Sequence, residues 1–192
     1  MNIIKKLLLI FILLQFNDKL LGQDLKKTDG FAINLKIGPS ISFNDPNEVN
    51  LPIDVMGLEL NILNNNFIYS VEYLGHDKTG ILLGFNLPSQ NQLGIMIGKY
   101  KGEKKIRIQY QTGINMFWGQ FYNPGGTQPV LMSLGGPSKF FSTVGAVSKV
   151  GFKYFRLKNL SFGIDFQINL NSVKSLYMPM FSIGIGELRN AI

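Results

Sequence analysis

From residue 160 to 171 apolar and polar side chains alternate without a miss. Leu160, Phe162, Ile164, Phe166, Ile168 and Leu170 form one series, and Ser161, Gly163, Asp165, Gln167, Asn169 and Asn171 the other. A period of two belongs to an extended strand whose two faces meet different media. Residues 30–43 repeat the pattern, with Phe31, Ile33, Leu35, Ile37, Ile41 and Phe43 on one face and Pro39 hinting at a bend or rim. Residues 53–62 predict a second strand whose phase slips near Met56 and Gly57, as a bulge would make it. Further strands follow at 67–74, 92–100, 105–118, 139–154 and 176–187, the central two joined by a tight turn over 101–104. A short apolar alternation at 81–87 reads as a strand or as part of a loop.

The pattern predicts eight strands if 80–87 belongs to a loop, nine if it spans, and ten if 127–134 also pairs. No stretch after the N-terminal apolar run has helical periodicity. Residues 119–138, with two Gly-Gly pairs and three prolines, form the longest connection and the best candidate for a working surface.

Composition narrows the class. At 45% hydrophobic and 16% charged the chain is too apolar for disorder, and 192 residues suit one domain. With no cysteine, thiol catalysis and cysteine-ligated metal are excluded. Lys5 and Lys6 followed by the apolar run 7–14 read as an export signal, too short to span a bilayer as a helix. Residues 1–22 are therefore expected to be a cleaved signal peptide and 23–192 a single β-barrel domain.

The decisive question is which face points outward. A soluble barrel or sandwich would turn the apolar face inward. Here the polar faces are poor in solubilising lysine and glutamate and rich in Asn, Gln, Ser and Gly. Their charges nearly balance: Lys36, Arg107, Lys149 and Lys153 against Glu59, Glu72 and Asp165. Buried charge needs such pairing, so these residues with Gln167 are expected to form a polar network inside a narrow lumen. Phe162, Ile164, Phe166 and Ile168 are then expected to face lipid. The fold class is an all-β, antiparallel, up-and-down transmembrane β-barrel, of eight strands because single-chain bacterial barrels take an even number, with ten as the alternative.

The chain resembles small outer-membrane β-barrel proteins of Gram-negative bacteria, and most the "outer membrane protein beta-barrel domain" families of Bacteroidota. The likeness rests on the signal peptide and on strands such as 141–145 and 178–183, over roughly 30–188. It implies a cell outer membrane location with outer-membrane lipid as the surroundings.

Catalytic signals are weak. The lone histidine, His76, reads as a solvated turn residue beside Asp77; Ser70, Glu72 and His76 share parity, but an extended strand holds them too far apart for a triad. No phosphate loop, metal spacing or nucleophile elbow occurs, so no catalytic residue, no metal and no cofactor is expected, a membrane lipid hydrolase being the remote alternative. Two basic clusters, Lys99, Lys101, Lys104, Lys105 and Lys149, Lys153, Arg156, Lys158, surround turns that up-and-down topology puts at one barrel end. Their simplest reading is a solvated rim; the other is contact with anionic headgroups or an acidic partner. Nucleic acid is not an expected partner, since no aromatic platform interleaves those lysines.

The expected function is an integral outer-membrane barrel with a packed, non-conducting lumen, structural or binding a protein partner through 119–138. The alternative is a soluble secreted or periplasmic barrel that binds an apolar ligand inside.

Overall fold

The computed structural model describes residues 30–43, 53–64, 67–76, 90–102, 105–121, 139–157 and 159–186. In chain order the strands are β1 (Gly30–Gly38), β2 (Ile41–Ser42), β3 (Val55–Asn64), β4 (Phe67–His76), β5 (Gln90–Lys101), β6 (Ile106–Phe121), β7 (Lys139–Leu157), β8 (Leu160–Leu170) and β9 (Leu176–Gly186). Each long strand pairs antiparallel with its neighbour, and β1 pairs with β9 through Ala32–Gly186 to Ile37–Phe181, which closes an eight-stranded barrel. Closure leaves no sheet edge to pair with other chains.

The two-residue β2 continues the first strand after a break at Pro39 and Ser40, and pairs with the start of β9. Proline has no N–H for the ladder, so the break falls where the expected bend stood. The slip expected at Met56 and Gly57 is absent: β3 keeps one register with both β1 and β4 from Val55 onward. Alternation breaks one step earlier, where Asp54 and Val55 are both buried and the side chain of Asp54 takes the backbone N–H of Ser40. A register shift does occur between Phe155 and Leu157, at the end of β7. The segments 80–87 and 127–134, and residues 1–22, expected to be a signal peptide, lie outside the described residues. The longest stretch between described strands is 122–138, because β6 extends three residues into the range expected of it.

Strand direction sorts the connections. Between β3 and β4, β5 and β6, and β7 and β8 the chain turns within a few residues, and all three turns lie at one end. At the other end the chain leaves through 43–54, 77–89, 122–138 and 171–175. Outward-facing positions are apolar along most of the wall: Leu35, Leu58, Val71, Ile95, Ile114, Val144, Ile164 and Phe181 are all exposed. The interior holds two apolar clusters, Ala32, Leu63, Ile68, Tyr100 and Phe155 near the short turns, and Val55, Leu74, Phe117, Leu176, Met178 and Met180 near the long connections. No helix among the described residues is long and apolar enough to cross a membrane.

Candidate functional site: the charged cluster inside the barrel

Between the two apolar clusters lie three lysines and three carboxylates, all buried. Antiparallel pairing sets Glu59 directly opposite Glu72, an arrangement that repels unless cations intervene. Lys36 supplies one, with Nζ 2.9 Å from Glu59 Oε2 and donating also to Glu72. Lys149, from the opposite wall, donates to Glu59 and lies 4.0 Å from Glu72. Lys153 Nζ donates to Asp165 Oδ2 at 2.8 Å and to Ser182 Oγ at 2.5 Å, and Lys36 lies 3.5 Å from the same carboxylate. Gln167 Nε2 donates to Glu72 Oε1 at 2.6 Å, and Asn34 Nδ2 to Glu59 Oε2 at 3.4 Å. Each ion thus meets an opposite charge, the condition under which a dry interior holds ions at all.

Register explains how so many long side chains share so narrow a space. Glycine stands across the ladder from four of them: Gly57 from Lys36, Gly94 from Glu72, Gly151 from Asp165 and Gly163 from Lys153. An added Cβ on Gly151 would overlap the Asp165 carboxylate, and one on Gly163 the Lys153 stem, so these glycines are the floor over which the charged groups fold. An eight-stranded barrel has an interior just wide enough for side chains to fill.

Seven of the eight residues expected in the lumen network, Lys36, Glu59, Glu72, Lys149, Lys153, Asp165 and Gln167, come together. Arg107 does not. It lies nearer the short turns, its guanidinium over the rings of Tyr100 and Phe155 at 4.3 and 4.7 Å. Asn34 and Ser182 join the cluster although charge counting did not single them out; their inward parity was the available signal. On β8, Ile164 and Phe166 are exposed on the outer wall, and Phe162 and Ile168 are half-buried on the same face.

His76 is not a solvated turn residue. It ends β4, is buried, and meets Phe117 edge-on with centroids 5.6 Å apart. Ser70 and Glu72 face inward with it, but Ser70 donates to Asn61 and Glu72 is held by Lys36 and Gln167. Among the described residues, no cluster of three or more His, Asp or Glu could hold a metal ion. The second basic cluster divides: Lys149 and Lys153 point inward, whereas Arg156 is exposed at the rim. Lys104 and Lys158 lie outside the described residues.

No protein-family model matches the chain, and no curated protein does, so the affinity with Bacteroidota families gains no support there. Solved structures do match. The N-terminal β-barrel domain of Pseudomonas aeruginosa OprF aligns with a TM-score of 0.59 at 11% identity, covering 84% of this chain and 99% of that one. Ail, the attachment invasion locus protein of Yersinia pestis, crystallised with the heparin analogue sucrose octasulfate, gives 0.53 at 11% identity over 84% and 99%. Neisserial surface protein A gives 0.52 at 10% identity over 85% and 99%. At such identities the likeness is one of fold: this chain and these outer-membrane proteins share the closed eight-stranded antiparallel barrel.

Proposed function

We propose that the protein is an integral outer-membrane β-barrel, exported by the signal peptide at 1–22, whose lumen does not conduct ions and whose long connections present a binding surface. The observation that carries the reading is the inversion of polarity. Ile95, Ile114 and Val144 are 60%, 64% and 70% exposed while Glu59, Glu72 and Asp165 are fully buried. Water solvates the first arrangement poorly, and lipid solvates it well. Strands of 9 to 19 residues meet the ~9 to 11 that a tilted strand needs to cross the hydrocarbon.

The ion cluster supports a lumen closed at its centre, and the apolar clusters support a seal on either side of it. A soluble carrier of apolar ligands would need an apolar interior, which this barrel has only toward its ends. The protein-binding role belongs to residues 122–138, the longest stretch between described strands and the core of the expected 119–138 connection. Long loops of such barrels are extracellular, which puts the short turns in the periplasm. Ail, with its bound sulfated sugar, shows that a barrel of this fold can take a ligand.

Two measurements test the reading. The protein is expected to need detergent or lipid to stay folded and monomeric, and to migrate differently on a denaturing gel before and after heating. Monomeric, folded protein in detergent-free buffer would overturn membrane residence. Reconstituted in a planar bilayer it is expected to leave conductance at baseline; discrete channel steps would overturn the closed lumen while leaving membrane residence intact.

A further inference from the structure

Charge is segregated with unusual completeness. Every described carboxylate, Asp54, Glu59, Glu72 and Asp165, is buried, the last three inside the barrel. The charged side chains described on the outside are cations, and all lie at the short-turn end. Lys99 and Lys101 share the outward face of β5 with Ile95 and Ile97; Lys105 precedes β6 and Arg156 is the penultimate residue of β7, both exposed. These are three consecutive strands of the barrel. The backbone N–H of Phe155 donates to the Lys105 carbonyl at 2.8 Å, which sets Lys105 beside Arg156. Lys99 lies over the Phe67 ring, 5.3 Å from its centroid.

Beside the β5 end of this rim the outer wall is concave. An apolar groove of about 400 Å³ runs across β1, β3, β4, β5 and β6, bounded by Phe31, Ile62, Tyr69, Ile97, Thr112 and Ile114. Ile97 and Lys99 are neighbours on one face of β5, about 7 Å apart along the strand. The groove therefore begins one side-chain step from Lys99, with Lys101 one step further. A ligand that fits both is an amphiphile with an anionic head and an apolar tail.

Resting on the membrane reading above, we propose that this sector is a binding site for an anionic glycerophospholipid of the leaflet at the short-turn end. The headgroup phosphate lies against Lys99 and Lys101, beside the groove, with Lys105 and Arg156 extending the positive rim, and an acyl chain lies along the groove. Charge complementarity selects this occupant over a zwitterionic lipid, whose own ammonium would face the same four cations. It also separates the site from the rest of the wall, where the described outward positions carry no charge to select a headgroup.

The test uses the full-length protein in vesicles of phosphatidylcholine mixed with phosphatidylglycerol. Lipids retained by the released protein are counted by native mass spectrometry. The wild type is expected to retain phosphatidylglycerol in preference, with the preference falling about fivefold for each cation neutralised and disappearing in Lys99→Gln/Lys101→Gln/Lys105→Gln/Arg156→Gln. Where that variant fails to fold, Lys101→Gln alone reports the same trend. Thr112→Phe, which fills the groove and leaves the charges in place, is expected to lower retention of the lipid. Equal retention of both lipids by the wild type, or an unchanged preference in the charge variants, overturns the site. Insertion is read separately by heat-modifiable migration in phosphatidylcholine vesicles alone. A protein that inserts there without lipid preference loses the site and keeps the membrane reading; one that inserts in neither vesicle loses both.

Discussion

Gln167 on β8 donates through Nε2 to Glu72 Oε1 on β4 at 2.6 Å. In the closed order of strands, three others separate β4 from β8 on either side, so this hydrogen bond crosses the full width of the barrel. Lys149 on β7 and Glu59 on β3 are opposite in the same way. The lumen is thus tied across two diameters by groups whose partners lie 95 and 90 residues away in the chain. Neither tie can form before the barrel closes, which places their stabilisation late in folding, after the loop-closure entropy of the sheet has been met.

Removing one ion from the cluster leaves its partner buried and uncompensated. Lys149→Met strips the Glu59–Glu72 pair of one of its two cations. It is expected to cost about 3–5 kcal/mol, read as a lower urea midpoint in lipid vesicles by the heat-modifiable band. The double variant Lys149→Met/Glu59→Gln is expected to regain a large part of that loss, because it removes a charge of each sign.

Two glycine positions on the same inner face should respond differently. A Cβ on Gly94 would find its nearest neighbour, Asn115 Cβ, at an ordinary 3.7 Å. Gly94→Ala is therefore expected to stay within about 0.5 kcal/mol of wild type. At Gly151 the same methyl would enter the Asp165 carboxylate, and Gly151→Ala is expected to destabilise by about 1–3 kcal/mol. Equal responses in unfolding titrations of the two variants would contradict the crowded arrangement around Asp165.

The outer wall offers a test of its surroundings. Ile164 is 49% exposed and neighbours Asp165, which lies in the central cluster. An arginine there would stand in hydrocarbon, so Ile164→Arg is expected to destabilise the inserted barrel by about 2–4 kcal/mol. In detergent micelles, which deform around a charge, the same variant should lose less, and the comparison of the two unfolding midpoints isolates the bilayer's contribution.

Arg107 lies over the rings of Tyr100 and Phe155, toward the short turns. Arg107→Ala is expected to cost about 2 kcal/mol through the lost cation–π contacts. Combined with Lys149→Met, the losses should add to within about 0.5 kcal/mol, as for sites set well apart along the strands. A larger coupling in the double-mutant cycle would place Arg107 electrically within the network.

Much of this architecture is legible in the chain because a strand's side-chain period is a property of extended backbone. Parity alone separates Asp165 from Phe166, and the two-residue connection between β3 and β4 suffices to bring Glu59 opposite Glu72. The eight-stranded barrel expected from the pattern is the fold observed. Parity could not tell Arg107 from Lys149. Both are cations on inward positions, and only the axial stagger of β6 against β7 carries one to the aromatic pair near the short turns and the other to the centre. His76 was misread for a related reason: the sequence shows a histidine beside an aspartate before a loop, while its burial depends on Phe117, 41 positions later, folding in from β6.

By itself, then, the sequence determined which residues share a face, since that follows from local backbone geometry. Closure of β1 on β9 decided which groups meet across the lumen, Gln167 with Glu72 and Lys149 with Glu59 among them. Those contacts join strands distant in the chain, and their partners are set by the barrel's circumference and stagger, quantities that no single strand encodes.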